Sequence, residues 1–193
     1  EETIQAAEQS IIGVKQVADI VLAMKEFSHP TPRDSAPVDL NRVLKRCSVV
    51  CKSEWRQVAE LVCDFDENLP SVIGQEGALN QAILNLIVNA AHAIQYKGPN
   101  KGIIVLRTGF DKENVRLEIE DSGTGIPENI RDRIFEPFFT TKEAGRGTGQ
   151  GLALVHDIVV NKHGGRIELE STIGVGTKLI VMLPIEKQKL GAV

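Results

Sequence analysis

The 193 residues are 42% hydrophobic and 25% charged, enough apolar material for one globular core with an appended element. Because 26 acidic residues outnumber 22 basic ones, the net charge of -4 argues against a surface built to bind nucleic acid. No apolar run reaches the roughly 18 residues of a membrane-spanning helix, and the first residues lack the basic and apolar regions of a signal peptide. We therefore expect a soluble, cytoplasmic domain. The missing initial Met predicts a piece of a longer parent, whose membrane attachment is left open.

The first 29 residues predict a helix that packs against another helix. The helix should end near Ser28, because Pro30 and Pro32 lack amide hydrogens and disfavour helical backbone before them. Residues 30–37 are then predicted as a linker, residues 38–186 as a globular domain and residues 187–193 as a tail. The apolar seam, with the three- and four-residue steps typical of a coiled coil, consists of Ile4, Ala7, Ile11, Val14, Ala18 and Val21.

The globular domain alternates helices and strands. Between Asp121 and Gly149, a Gly-, Thr- and charge-rich stretch without an obvious element predicts a functional loop. The order of elements predicts an α/β two-layer sandwich, a sheet with helices on one face. The predicted elements are a helix capped by Asp39 and running to about Trp55, a strand at 58–65, a long helix at 75–95, strands at 102–110 and 115–120, a helix at 151–162, and strands at 165–171 and 177–183.

The three cysteines, Cys47, Cys51 and Cys63, show no metal-ligand spacing and are predicted to be free thiols. Cys47 and Cys51 share a helical face at a spacing of four residues, which is compatible with a redox pair. Small buried hydrophobic residues are the interpretation we favour.

Two glycine-rich turns are candidates for ligand binding. Asp121-Ser-Gly-Thr-Gly125 directly follows a predicted strand; its glycines allow close approach of a flat ligand, and the carboxylate can accept a hydrogen bond from an exocyclic amine such as that of adenine. A plain surface turn would show the same pattern. Gly147-Thr-Gly149-Gln-Gly151 opens a predicted helix, whose amides and dipole favour phosphate. It lacks the Gly-Lys-Ser/Thr of a Walker loop and is a weak signal by itself.

Asn85 and Asn89 lie four residues apart and therefore on one face of the long helix. An asparagine in an apolar helix is costly unless its amide is satisfied, and its carbonyl oxygen is a suitable ligand for Mg²⁺. Helix packing is the alternative for either residue alone.

Five segments, all in order, resemble the motifs of the sensor histidine kinase catalytic domain. This combination is highly specific. The resemblance covers roughly residues 38–183 and implies the Bergerat-type ATP-binding sandwich of the HATPase (GHKL) superfamily, shared with Hsp90, gyrase and MutL. Residues 16–28 resemble the second helix of the dimerisation and histidine-phosphotransfer hairpin. The five segments are Asn85-Leu-Ile-Val-Asn89-Ala-Ala-His-Ala93 (N box), Asp121-Ser-Gly-Thr-Gly125 (first glycine box), Phe135-Glu-Pro-Phe-Phe139 (F box), Gly147-Thr-Gly-Gln-Gly151 (second glycine box) and Gly176-Thr177.

The resemblance implies ATP and Mg²⁺ as ligands. Asp121 would bind the adenine amine, Asn89 would hold Mg²⁺, and Asn85 would lie near the phosphates. Lys142 is the candidate for the terminal phosphate, and Thr177 would support adenine through a water. The adenine slot would be shaped by Ala93, Gly123, Gly125 and Ile126, and the phosphate side by Gly147, Thr148, Gly149, Gly151 and Leu152.

One residue departs from the family pattern. Many members carry Lys three residues after the metal-binding Asn, where this chain has His92. A neutral imidazole neutralises phosphate charge less well than an ammonium. His92 as a member of the ATP site and His92 as a tolerated variant at its rim both stay open.

The phosphoacceptor histidine is expected on a hairpin helix absent from this chain. The resemblance implies transfer of the γ-phosphoryl group of ATP to that histidine, relay to the receiver domain of a response regulator, and a homodimeric parent. His29 is predicted as a linker residue and His163 as a neighbour of a helix C-cap. His156 mimics the acceptor pattern, but it lies on the helix after the phosphate turn.

Two other functions compete with this interpretation. An Hsp90- or gyrase-like ATPase would activate water with a Glu in the N box, where Asn85 cannot act as a base. A pseudokinase would bind ATP and scaffold a partner through the seam of residues 4–21. The glycine boxes indicate binding rather than turnover, so this alternative stays open.

Overall fold

The computed structural model describes residues 35–142 and 147–185. The predicted hairpin helix (1–29), with His29, and the predicted tail (187–193) lie outside these ranges. In chain order the described elements are β1 (Ala36–Val38), α1 (Leu40–Val50), α2 (Lys52–Trp55), β2 (Ala59–Asp64), β3 (Val72–Gly74), α3 (Glu76–Lys97), β4 (Gly102–Phe110), β5 (Asn114–Asp121), a 3-10 helix (Glu128–Arg133), α4 (Gly151–His156) continued by a π-helical segment (Asp157–Lys162), β6 (Arg166–Thr172) and β7 (Gly176–Pro184).

A sheet of five strands in the order β2-β4-β5-β7-β6 forms one layer. Strands β2 and β4 are parallel, and the other neighbours are antiparallel. Alternate residues such as Leu106, Leu117 and Val181 are buried, as expected for strands with one face on the core. The predicted sandwich of sheet and helices is confirmed.

Helix α3 is the centre of the second layer and contacts α1, α4 and the sheet. Its hydrophobic side forms because apolar residues recur at intervals of three and four. All six positions that the sequence assigned to this side are at most 4% exposed: Leu79, Ile83, Leu86, Ile87, Ala90 and Ile94.

The predicted helix from Asp39 to Trp55 is divided at Cys51. Asp39 caps α1 as predicted, because its Oδ1 accepts the backbone N–H of Arg42 at 3.0 Å. Cys47 and Cys51 are free and buried, while Cys63 is free and exposed. Burial raises the pKa of Cys47 to about 11, so its thiol is an unreactive packing group, as we expected.

Part of the predicted linker belongs to the fold. Ala36 and Pro37 lie in β1, which pairs antiparallel with β3. Both strands escaped the sequence analysis because three residues are too few to show an alternating pattern. The loop predicted between Asp121 and Gly149 likewise contains a 3-10 helix, Glu128–Arg133, that the sequence did not indicate.

His163 joins two elements that are distant in the sequence. As predicted, it lies at the C-terminal end of the helix, where its backbone N–H bonds to the carbonyl of Val160. Its imidazole Nδ1 lies 2.6 Å from the carbonyl oxygen of Ile158, and its Nε2 accepts the backbone N–H of Gln75 at 3.0 Å. Because Gln75 caps α3, this contact satisfies a donor at the start of that helix.

We predict that Val43→Ala lowers the free energy of unfolding by about 1.5–3 kcal/mol, because it removes two buried methyl groups and leaves a cavity. Val43 is 1% exposed in α1, whereas Val49 in the same helix is 70% exposed. Val49→Ala is therefore the matched control and should change stability by less than about 0.5 kcal/mol. Urea unfolding of both variants measures the difference, and equal losses would contradict the predicted packing.

Candidate nucleotide-binding site

One side of α3 carries three polar residues. Asn85, Asn89 and His92 follow one another at steps of four and three residues, and each is half-buried. A Cβ added to Gly151, at the start of α4, would lie 3.6 Å from Asn89 Nδ2 and 3.8 Å from Asn85 Oδ1. The fold thus brings the glycine turn and the two asparagines together, as the sequence predicted.

Asp121 is the last residue of β5. Its Oδ1 accepts the backbone N–H of Gly123 at 2.7 Å. Burial nevertheless raises the pKa of Asp121 from 3.8 to about 6, with the hydrogen bonds from Gly123 and Thr177 opposing the shift. An ionised carboxylate held in a poorly hydrated place is a strong acceptor for a donor that a ligand brings.

Gly123 allows the turn after β5 to lie directly on α3. A Cβ at Gly123 would come within 2.6 Å of the Cβ of Ala93, and the N–H of Thr124 donates to the Ala93 carbonyl at 3.2 Å. Gly125 has a φ of 72°, which favours glycine, and lies against the backbone of Thr172. These contacts form a narrow wall from predicted adenine-site residues.

Ser171 connects two further predicted residues. Its Oγ accepts the N–H of Ile126 at 2.8 Å and lies 2.9 Å from Oγ1 of Thr177, which is buried. Arg131 also donates to the Ser171 carbonyl. The sequence analysis missed Ser171, because a serine in a strand carries no local signal of a contact across the sheet.

The second glycine turn lies near Lys142. A Cβ at Gly147 would be 2.9 Å from Cδ of Lys142, so the lysine side chain passes closely over this turn. Its Nζ lies 2.9 Å from His92 Nδ1 and 3.4 Å from Asn89 Oδ1. Lys142 and His92 therefore meet at the asparagine predicted to bind metal.

The remaining residues of the turn have packing roles in the structure. Oγ1 of Thr148 accepts the N–H of Gln150 at 3.4 Å. Gly149, with a φ of 67°, lies against the backbone of Phe138, and Leu152 packs against the hydrophobic core. These contacts fix the start of α4, where the sequence predicts phosphate binding.

Glu54 is a neighbour of this group that the sequence did not indicate. Its Oε2 lies 4.0 Å from His92 Nε2. Burial and the charge of Lys142 lower the pKa of His92, against the opposing effect of Glu54, and so favour the neutral imidazole. Burial also lowers the pKa of Lys142.

His156, which mimics a phosphoacceptor, lies apart from these groups. Its ring centroid is 5.6 Å from that of Phe135 in the F box. It is half-buried at the end of α4. Its position favours the prediction that it is an ordinary helix residue.

A metal ion in this cleft would depend on amide oxygens. No group of three or more His, Cys, Asp or Glu side chains suited to a metal occurs among residues 35–142 and 147–185. The amide oxygens of Asn85 and Asn89 are hard ligands of the kind that Mg²⁺ takes together with water and phosphate.

Across residues 35–142 and 147–185, no helix is long and apolar enough to cross a membrane.

Residues 74–187 match the family of histidine kinase-, DNA gyrase B- and HSP90-like ATPases. The chain belongs to this family. It is 34% identical to the sensor kinase CckA of Brucella abortus over 90% of this chain and 20% of the relative. It is 30% identical to the sensory histidine kinase/phosphatase NtrB of Rhodobacter capsulatus over 98% of this chain and 55% of that relative.

The chain spans only a fifth to about half of the length of these curated relatives. Among solved structures, the catalytic domain of histidine kinase ThkA superposes with a TM-score of 0.68 at 30% identity, covering 78% of this chain and 95% of that one. Full-length ShkA, solved in complex with AMPPNP, gives a TM-score of 0.67 at 27% identity, over 78% of this chain and 31% of that one. The resemblance stated from the five motifs is thereby confirmed: this is a catalytic ATP-binding domain of the histidine kinase type.

We predict that Asp121→Asn stabilises the nucleotide-free protein at pH 7.5. Since the folded-state pKa of about 6 exceeds the ordinary 3.8, the folded protein holds this proton more tightly than the unfolded chain. The free energy of unfolding therefore falls as pH rises from about 4 to 6, by roughly 2–3 kcal/mol. Asn cannot ionise and keeps an acceptor for Gly123, but it replaces the oxygen that accepts from Thr177, so the variant should gain only part of that amount at pH 7.5 and should be slightly less stable than the native protein at pH 4.

Asp111→Asn is the control with the opposite sign. Hydrogen bonds from the backbone of Glu113 and Asn114 lower the pKa of this exposed carboxyl. Its ionised form therefore stabilises the fold above the ordinary pKa, and this stabilisation is lost as pH falls through the lowered value. Urea unfolding between pH 4 and 8 compares the variants; an Asp121→Asn protein no more stable than the native one at pH 7.5 would contradict the assigned cost of burying the carboxylate.

Proposed function

We propose that this chain is the ATP-binding catalytic part of a two-component sensor histidine kinase. It transfers the γ-phosphoryl group of ATP to a histidine on a hairpin helix outside this chain, for relay to an aspartate of a response regulator. The observation that carries the proposal is that the turn after Asp121 and the glycine turn of α4 both lie against α3, the first at Ala93 and the second at Asn85 and Asn89. Family membership supplies the reaction type.

The Asp121 end of the cleft recognises adenine. Its ionised carboxylate accepts a hydrogen bond from the exocyclic amine, which guanine replaces with a carbonyl oxygen at the corresponding position. Gly123 lies directly against Ala93, where any larger side chain would collide with the helix. Thr177 and Ile126, connected through Ser171, are the further residues that we assign to the adenine site.

The other end of the cleft holds the phosphates and Mg²⁺. Oδ1 of Asn89 already accepts a cationic partner, Lys142, which supports a role for this oxygen as a cation ligand. Mg²⁺, when bound, neutralises the charge on the phosphates and on the transferred group. Amide hydrogens at the start of α4 face the same place and stabilise the phosphate oxygens.

The domain supplies position and charge rather than a base. Phosphoryl transfer depends mainly on alignment and electrostatic stabilisation, so the attacking imidazole needs little proton removal here. Asn85 lies where an ATPase of this family needs a Glu, which disfavours activation of water. The proposed parent contributes residues 1–29 to a dimeric hairpin, followed by a linker, the catalytic domain at 38–186 and a short tail.

A response regulator is the proposed partner for the relay. ThkA has been solved in complex with the response regulator TrrA, and this chain superposes on ThkA there with a TM-score of 0.71 over 92% of its residues. That similarity, at 24% identity, concerns the fold. The proposed transfer to a receiver domain follows from the function and not from this superposition.

We predict that the chain labels the hairpin of its parent on histidine when both are mixed with ATP radiolabelled at the γ-phosphate. Asn89→Ala should lower the rate by about a hundredfold or more, because it removes an oriented ligand that acts on developing charge. Asn100→Ala, on an exposed loop, is the matched control and should label normally.

Three outcomes of this assay are informative. Acid-labile label on the hairpin that depends on Asn89 supports the kinase. Steady release of free phosphate without label indicates the ATPase alternative. ATP binding with neither product indicates a pseudokinase that scaffolds a partner.

A further inference from the structure

His92 lies on the side of α3 that carries Asn85 and Asn89, and its contacts give it a task of its own. A second ammonium at this place would repel Lys142, whereas a neutral imidazole can accept a hydrogen bond from it. The distance of 2.9 Å between Lys142 Nζ and His92 Nδ1 is that of such a bond. The ammonium beside Asn89 and His92 thus comes from a segment other than α3.

Nδ1 of His92 lies within hydrogen-bond distance of Lys142, and Nε2 has the carboxylate of Glu54 as a more distant neighbour. Because an ammonium only donates, Nδ1 must be the acceptor, and the ring proton lies on Nε2. Nε2 lies 4.0 Å from Oε2 of Glu54. The negative carboxylate favours the tautomer with its proton on Nε2, and it repels a phosphate oxygen. His92 is therefore poorly placed to contact phosphate itself.

Asn89 cannot hold Lys142 once the cleft is filled. Its Oδ1, 3.4 Å from the ammonium, is the oxygen that the proposed function assigns to Mg²⁺. A metal ion at Asn89 therefore displaces Lys142 from this oxygen. His92 is then the side chain that keeps the ammonium beside the metal and above the glycine turn at Gly147.

We propose that His92 is a positioning residue that holds Lys142 beside the phosphate site, and that this pair selects nucleoside triphosphates over diphosphates. The inference rests on the proposed function. Mg²⁺ and an ammonium placed side by side repel each other unless enough negative charge lies between them. A triphosphate supplies one more negative charge than a diphosphate and can therefore neutralise both the Mg²⁺ ion and the ammonium of Lys142.

A double-mutant cycle on nucleotide affinity tests this inference. His92→Leu and Lys142→Met should each weaken ATP binding by about tenfold, the value of a charge-assisted contact, and change ADP binding much less. The double variant should bind ATP no worse than Lys142→Met alone, because His92 acts through the lysine. His92→Gln keeps an acceptor and should retain most of the affinity.

Tyr96→Leu, later in α3, and Lys112→Met, in the β4–β5 turn, are exposed controls that should bind both nucleotides normally. Additive losses in the cycle, or equal losses for ATP and ADP, would overturn the inference while leaving the proposed function intact. A folded native chain that binds no ATP would overturn both. Nitrogen NMR of the native imidazole needs no variant: a proton on Nε2 supports the pair, and a proton on Nδ1 excludes it.

Discussion

Helix α3 serves the hydrophobic core and the nucleotide cleft at once, and the rest of the structure depends on this double role. Its apolar side is buried against the sheet, while Asn85, Asn89 and His92 lie on the side that faces α4. Packing of the core therefore sets where the asparagine oxygens point. A rotation of the helix that exposed Ile87 would also move Asn89, the proposed metal ligand, away from the glycine turn at Gly151.

Asp121 is the residue at which burial of a charged group lowers the stability of the nucleotide-free protein. In the proposed function the ionised carboxylate accepts a hydrogen bond from adenine, yet burial raises its pKa to about 6. Without nucleotide, the buried carboxylate of Asp121 thus lowers the free energy of unfolding at neutral pH. A hydrogen-bond donor from a bound ligand offsets this loss. This is the usual relation between a binding site and the stability of its scaffold.

The sequence predicted most elements because their signals are long. Helix α3 repeats its apolar pattern over six turns, and strands β4 and β5 alternate over eight or nine residues. The three-residue strands β1 and β3 carry too little pattern to be recognised. The five motifs identified the family because their combination in this order is specific, although each motif alone is a weak signal.

The sequence did not predict the contacts between segments that are distant along the chain. The hydrogen bond from Gln75 to His163, the linkage through Ser171 and the approach of Glu54 to His92 join residues whose spacing follows no local period. Such contacts are decided by how the layers pack. His92 shows the consequence, since its departure from the family pattern gains a physical explanation only when Lys142 is seen beside it.

The most direct test of the account is a calorimetric titration of the chain with ATP, with and without Mg²⁺. The account predicts that Asp121→Asn and Asn89→Ala each weaken binding by about tenfold or more, since each removes a contact to a charged group. Asn89→Ala should also lose the dependence on Mg²⁺. A folded native chain that binds no ATP, or an Asn89→Ala chain with unchanged Mg²⁺ dependence, would contradict the central claim.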